Sequence, residues 1–99
     1  MEIEFDDEDL ALVFTEWAHK LGLPIGVIKS TRNKLRMLRD APDERTLRNW
    51  KSLNYKKLSG DHEGKRQIRL NDQYRVVFTL DDTTKPPTAR ILEIGDTHD

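Results

Sequence analysis

The sequence predicts an α+β fold in which two to three N-terminal helices pack on a three- to four-stranded antiparallel sheet. Apolar residues recur at helical spacing as far as Leu47, and after Ser52 the period drops to two. The period-two stretches are joined by turns as tight as the one at Asp72 and Gln73, which leaves antiparallel pairing as the simple connection. A chain of 99 residues that is 35% hydrophobic and 35% charged can fill one modest core, so residues 1–99 are expected to form a single domain.

The first helix is announced by Asp6, Asp7, Glu8 and Asp9, because acids in a first turn complement the positive end of the helix dipole. Leu10, Val13, Phe14, Trp17 and Leu21 follow at helical spacing, with Trp17 assigned to the core, and Gly22 stops the run. Pro24 opens a second helix whose apolar edge is Ile28, Thr31, Leu35 and Leu38, surrounded by Lys29, Arg32, Lys34, Arg36 and Arg39. Ala41, Pro42 and Asp43 end it, and 43–47 reads as a short third helix. The break at Gly22, Leu23 and Pro24 predicts an antiparallel helical hairpin lying on one face of the sheet. Tyr55 to Leu58 then reads as a short edge strand. In the next strand Ile68 and Leu70 face one way, Gln67 and Arg69 the other. In the one after, Val76, Phe78 and Leu80 oppose Arg75, Val77 and Thr79. A loop over 81–87 leads to a last strand from Thr88 to Ile94.

Composition narrows the classes further. No run approaches the ~20 apolar residues of a membrane span, and no basic-then-apolar start marks a signal peptide, so a cytoplasmic protein without a membrane partner is expected. The absence of cysteine removes disulfides and thiolate metal sites. His62, His98 and the nearby acids do not stand at metal-ligand spacing, so neither metal nor cofactor is expected. The net charge of -1 conceals a segregation. Residues 1–28 carry seven acids against one lysine, 29–75 carry fourteen Lys/Arg against six Asp/Glu, and 76–99 carry two against five. The middle segment is where a polyanion would bind.

Within that segment Arg66, Arg69 and Arg75 fall on adjacent strands, and Arg69 and Arg75 are the pair expected to share a face. Same-face neighbours on antiparallel strands stand only ~5 Å apart, so two guanidiniums there repel unless an anion bridges them. The planar fork of arginine suits an oxyanion, and a phosphodiester is the natural guest. The bland alternative is a solvated basic face paired to Asp and Glu. Lys56 and Lys57 flank the entry to the sheet, as phosphate contact and proton donor or as surface charge. His98, beside Asp96, can exchange a proton near neutral pH or be an idle chain end. Trp50 and Tyr55 could stack on a base, although their position at the helix-to-sheet junction favours packing under the helices.

Three segments occurring in order, Lys51-Ser52-Leu53-Asn54-Tyr55-Lys56-Lys57-Leu58-Ser59-Gly60-Asp61, Arg69-Leu70-Asn71-Asp72-Gln73-Tyr74-Arg75-Val76 and Glu93-Ile94-Gly95-Asp96-Thr97-His98, resemble the HigB branch of the RelE/ParE toxin superfamily. The resemblance implies a RelE-like fold and a ribosome-dependent endoribonuclease that cuts mRNA without a metal. In such enzymes the ribose 2′-hydroxyl attacks the adjacent phosphorus, while the protein supplies a base, an acid and cations for the developing charge. It also implies a helix-turn-helix, HigA-like antitoxin as neutralising partner, the ribosome and mRNA as targets, and operator DNA only through the antitoxin. Carried over residue by residue, Arg75 stabilises phosphate charge, and His98 with Asp96 matches a C-terminal Asp-Tyr-His signature and its proton transfer. Lys56 stands where members of the branch carry a histidine, and Lys57, Arg66 and Arg69 are expected to hold RNA. Two departures leave acid and base unassigned. Thr97 replaces the tyrosine of the signature, and a lysine at position 56 is a poor base unless its pKa is depressed.

The leading expectation is therefore an mRNA-cleaving toxin. A ParE-like inhibitor of DNA gyrase that cleaves nothing, and a weakened toxin retained as an antitoxin-binding corepressor, are the alternatives. Ribosome-dependent cleavage separates the first from the other two.

Overall fold

The structure, a computed structural model, describes residues 1–60 and 64–96. Strand β1 (Glu2–Phe5) is followed by 3-10 helices at Glu8–Phe14 and Ala18–Leu21, then by α1 (Ile25–Asp40) and α2 (Glu44–Asn49). A 3-10 turn at Lys51–Leu53 leads into β2 (Lys56–Lys57), β3 (Lys65–Arg69), β4 (Arg75–Asp81) and β5 (Thr88–Gly95).

Helix α1 forms as its spacing dictates. Val27, Ile28, Thr31, Leu35 and Leu38 recur every three or four residues and are buried. Helix α2 begins on Asp43, whose carboxylate accepts from the Thr46 amide at 2.9 Å and its hydroxyl at 2.8 Å. Those bonds, the backbone one first, hold the Asp43 carboxyl below the usual carboxylate range.

The first helix differs from expectation. It is two 3-10 pieces parted at Thr15, whose backbone is extended and whose hydroxyl donates to the Leu12 carbonyl and accepts from the Trp17 amide. A threonine that bonds its own backbone competes with helix continuation. Arg32 of α1 then donates to the Val13 and Thr15 carbonyls, at 2.6 and 2.9 Å, and clamps this segment onto α1. The split turns Trp17 outward. It is 49% exposed, with the Lys20 ammonium 5.0 Å from its ring centroid, and is not a core residue.

The sheet has one strand more than expected and is mixed. Its order is β1-β5-β4-β3-β2, antiparallel throughout except for β1 alongside β5. Ile3 and Phe5 face inward with their partners Ala89 and Ile91, so β1 does alternate. Four residues running into an acidic stretch are too few for periodicity alone to declare a strand. The inner face meets α1 through Ile68, Val76, Phe78, Ile91, Leu35 and Leu38, all fully buried. Trp50 and Tyr55 pack partly buried against this core, as the packing reading had it.

Two features position the outer face. Helix α1 is bonded to the end of β3, through Ser30 Oγ to the Leu70 carbonyl at 3.0 Å, and to the 3-10 turn before β2, through Lys34 Nζ to the Ser52 carbonyl at 2.7 Å. Strand β5 carries a bulge: Val77 pairs with Glu93 and Phe78 with Ile91, leaving Leu92 as the extra residue.

Candidate functional site

The register builds the site in rows. Across the outer face, Lys56 of β2, Gln67 of β3, Val77 of β4 and Glu93 of β5 are successive cross-strand neighbours. In the adjoining row Arg69 stands opposite Arg75, and Arg75 opposite Gly95. A shallow groove of about 360 Å³ opens over these rows, lined by Asn54, Tyr55, Lys56, Gln67, Arg69 and Arg75. Asn54, in the left-handed region at φ 47°, swings the chain from the 3-10 turn into β2 and so brings Lys56 to the rim. Three cations from three strands converge on one concavity. Arg69 and Arg75 are directly opposed, as their alternation predicted.

The turn between β3 and β4 explains how two guanidiniums tolerate this. The Asn71 side chain accepts from the Gln73 and Tyr74 amides, at 2.8 and 2.7 Å, which fixes the turn. The backbone carbonyl of the same residue accepts from both arginines, Arg69 Nε at 3.2 Å and Arg75 Nη1. Arg75 also donates to the Tyr74 carbonyl at 3.0 Å, and Arg69 pairs with Asp72. Asp72 is 95% exposed, so its hold on Arg69 is readily exchanged for another anion. Gln73 reaches from this turn to Asp96, donating to Oδ2 at 3.1 Å, and ties the turn to the end of β5.

Lys57 and Arg66 go elsewhere. They face each other across β2 and β3, one position out of phase with Lys56, Gln67 and Arg69, and so lie on the side toward the helices. There Glu44, at the start of α2, gathers them. Its Oε2 lies 3.3 Å from Arg66 Nε and 3.7 Å from Lys57 Nζ, and accepts from the Tyr55 hydroxyl at 2.6 Å. Arg66 Nε also donates to the Tyr55 oxygen at 2.9 Å, and Arg48 pairs with Glu44 from one helical turn on. The Tyr55 bond, assisted by Arg66, Lys57 and Arg48, lowers the Glu44 carboxyl below its ordinary range despite partial burial. Burial, then the bond to Glu44, raises the Tyr55 hydroxyl, which stays a donor at any physiological pH. The expectation that Lys57 and Arg66 join Arg69 on one RNA-holding surface thus meets an alternation that separates them and a carboxylate that occupies them.

Of the residues singled out in the sequence, the structure brings together Lys56, Arg69 and Arg75, with Asp96 joined through Gln73. His98 lies outside the described residues. Gln67, Asn71 and Gln73 were not singled out. Asn71 and Gln73 were legible as turn chemistry, whereas their hold on the arginines and Asp96 was not. Arg90, also on the outer face, is paired with Glu4 and Asp6 at 3.3 and 3.1 Å and contributes no open cation. Among the described residues no three His, Asp or Glu side chains gather as a metal set, and no helix is long and apolar enough to cross a membrane. A hollow of about 300 Å³ between the 3-10 segments and α1, walled by Ala18, Leu23, Ile25 and Ile28, lies away from this chemistry.

No family model matches the chain, and no curated protein does. Solved structures do. A YoeB/ParE toxin from Agrobacterium tumefaciens shares 10% identity at a TM-score of 0.57 over 99% of this chain and 100% of its own. The YoeB–YefM complex from Staphylococcus aureus gives 16% identity and a TM-score of 0.58 over 99% of this chain and 98% of the other. YafQ from E. coli gives 16% and 0.58 over 97% and 92%. At such identities the likeness is one of fold: the chain has the α+β, RelE-like architecture of these toxins.

Proposed function

We propose that this protein is the toxin of a type II toxin–antitoxin pair, of the HigB branch, and that it arrests translation by cutting mRNA on the ribosome. The observation that carries the reading is the convergence of Lys56, Arg69 and Arg75 over one groove, with both guanidiniums held in place before any ligand arrives. Preorganised cations act on the charge that develops in the transition state without reorganising at the moment of reaction. The motif resemblance and the shared fold support the same reading.

In this mechanism the scissile phosphate displaces Asp72 from Arg69 and lies across Arg69 and Arg75. The 2′-hydroxyl of the preceding ribose attacks phosphorus, the bond to the 5′-oxygen breaks, and the products are a 2′,3′-cyclic phosphate and a 5′-hydroxyl. The motif resemblance offers Lys56 and His98, with Asp96 two residues before the histidine, as candidates for proton transfer. The ribosome presents the mRNA. A HigA-like antitoxin is the neutralising partner, through which operator DNA is reached, and the YoeB–YefM complex is a precedent for a toxin of this fold held by an antitoxin.

Primer extension on an mRNA translated in a purified system tests the proposal. Cuts within codons, present only with both ribosomes and this protein, are the expected result. Growth arrest without cuts would point instead to a ParE-like gyrase inhibitor. Neither cuts nor arrest would leave a decayed toxin acting through its antitoxin.

A further inference from the structure

We propose that Glu93 is the general base of this site and that Lys56 is its general acid, the two flanking a phosphate held by Arg69 and Arg75; the assignment rests on the nuclease reading above. An in-line displacement places the entering and leaving oxygens on opposite sides of phosphorus, so acid and base must approach from opposite sides. The outer face offers one such arrangement. Lys56 and Glu93 stand at the two ends of a single cross-strand row, on β2 and β5, and the arginines rise from the two strands between them. Three strand spacings separate the ends by roughly 14 Å at the backbone, and two long side chains leaning inward can close on a phosphodiester.

Three observations single out Glu93. Its Oε1 leans along β5 over Gly95, 3.8 Å from where a Cβ would stand on that glycine, and Gly95 is the cross-strand partner of Arg75. The missing side chain leaves the space beside Arg75 open to this carboxylate, a diagonal neighbour within side-chain reach. Among the described residues the Glu93 side chain forms no hydrogen bond or ion pair, whereas Glu4, Asp6, Glu44 and Asp72 are all engaged by arginines. It is exposed and is not serving as a structural counter-ion. Finally, the bulge at Leu92 is what turns it outward. Plain alternation from Thr88 would put Glu93 on the apolar side with Ala89 and Ile91, and the extra residue re-aims it to the cationic face.

The step balances. Glu93 takes the proton of the 2′-hydroxyl as the O2′–P bond forms, and Lys56 gives a proton to the 5′-oxygen as the P–O5′ bond breaks. Glu93 leaves the cycle protonated and Lys56 neutral, and exchange with solvent restores both. A carboxylate acceptor also answers the difficulty that lysine is a poor base.

The test measures single-turnover cleavage of ribosome-bound mRNA by the wild type, Glu93→Gln, Glu93→Asp and Lys56→Ala. Glu93→Gln should cut about 10²-fold more slowly while binding ribosomes and unfolding as the wild type does, with Glu93→Asp in between. On an mRNA bearing sulfur in place of the bridging 5′-oxygen at the cut, a leaving group that needs no proton, Lys56→Ala should recover and Glu93→Gln should not. Wild-type cleavage by Glu93→Gln, or rescue by sulfur of Glu93→Gln and not of Lys56→Ala, would overturn the assignment while leaving the nuclease intact. A wild type that cuts nothing would overturn the nuclease reading, and this assignment with it.

Discussion

Arg66 and Arg69 lie on the same strand and on opposite faces of the sheet, and their surroundings differ in kind. The Arg66 side chain is 18% exposed and bonded to a partly buried carboxylate and a phenol. Arg69 is 41% exposed and bonded to a turn carbonyl and to an aspartate that stands almost wholly in solvent. One guanidinium holds α2 to the edge of the sheet, and the other is paired with a carboxylate that solvent screens and another anion can displace. The face of the strand, more than residue type or position in a basic stretch, decides which arginine is structural and which is available. The same division separates Lys57, drawn to Glu44, from Lys56, which lines the groove.

The largest effect should come from Arg75, which stands opposite Arg69 and beside the end of β5. Arg75→Ala is expected to cut ribosome-bound mRNA about 10²- to 10³-fold more slowly and to restore growth to cells expressing it, with the circular dichroism of the wild type. Full toxicity from a soluble Arg75→Ala protein would remove it from the mechanism. On the other face the expected cost is stability. Arg66→Ala leaves Glu44 and Tyr55 without their shared donor and should lower unfolding free energy by about 1–3 kcal/mol in urea, with cleavage per folded molecule unchanged. A smaller effect follows from Glu44. Its carboxyl is held down chiefly by the Tyr55 bond, so the folded state binds its proton less readily than the unfolded chain does. The stability it contributes is present above the ordinary glutamate value of about 4.3 and is lost as pH falls through the lower folded value. Thermal midpoints should therefore drop on acidification through that window, and Glu44→Gln should flatten part of the drop. The remainder belongs to carboxyls such as Asp43 and Asp81, lowered by their own threonine bonds.

Much of this was legible from the chain, and the reasons for the rest are physical. The apolar edge of α1 and the opposition of Arg69 to Arg75 follow from spacing and a short turn, both local properties. The pairing of Arg66 with Glu44 was not legible, because Glu44 comes from a helix in a different part of the chain and no pattern on β3 announces it. The outward facing of Glu93 was not legible because a one-residue bulge reverses the facing of everything beyond it, and strict alternation cannot foresee that. Trp17 was assigned to the core by a helical period that Thr15 breaks through its own hydrogen bonds. The local rules held where the spacing ran unbroken and failed where a bulge, a side chain bonding its own backbone or a partner distant in sequence intervened.

The most direct test of the two-faced sheet compares Arg69→Ala with Arg66→Ala in one purified translation reaction, scoring cleavage per folded molecule alongside urea unfolding. Arg69→Ala should lose at least about tenfold in cleavage and little stability, and Arg66→Ala should lose stability and keep its cleavage. The opposite pairing of losses, or equal losses in both variants, would contradict the assignment of the outer face as the RNA site.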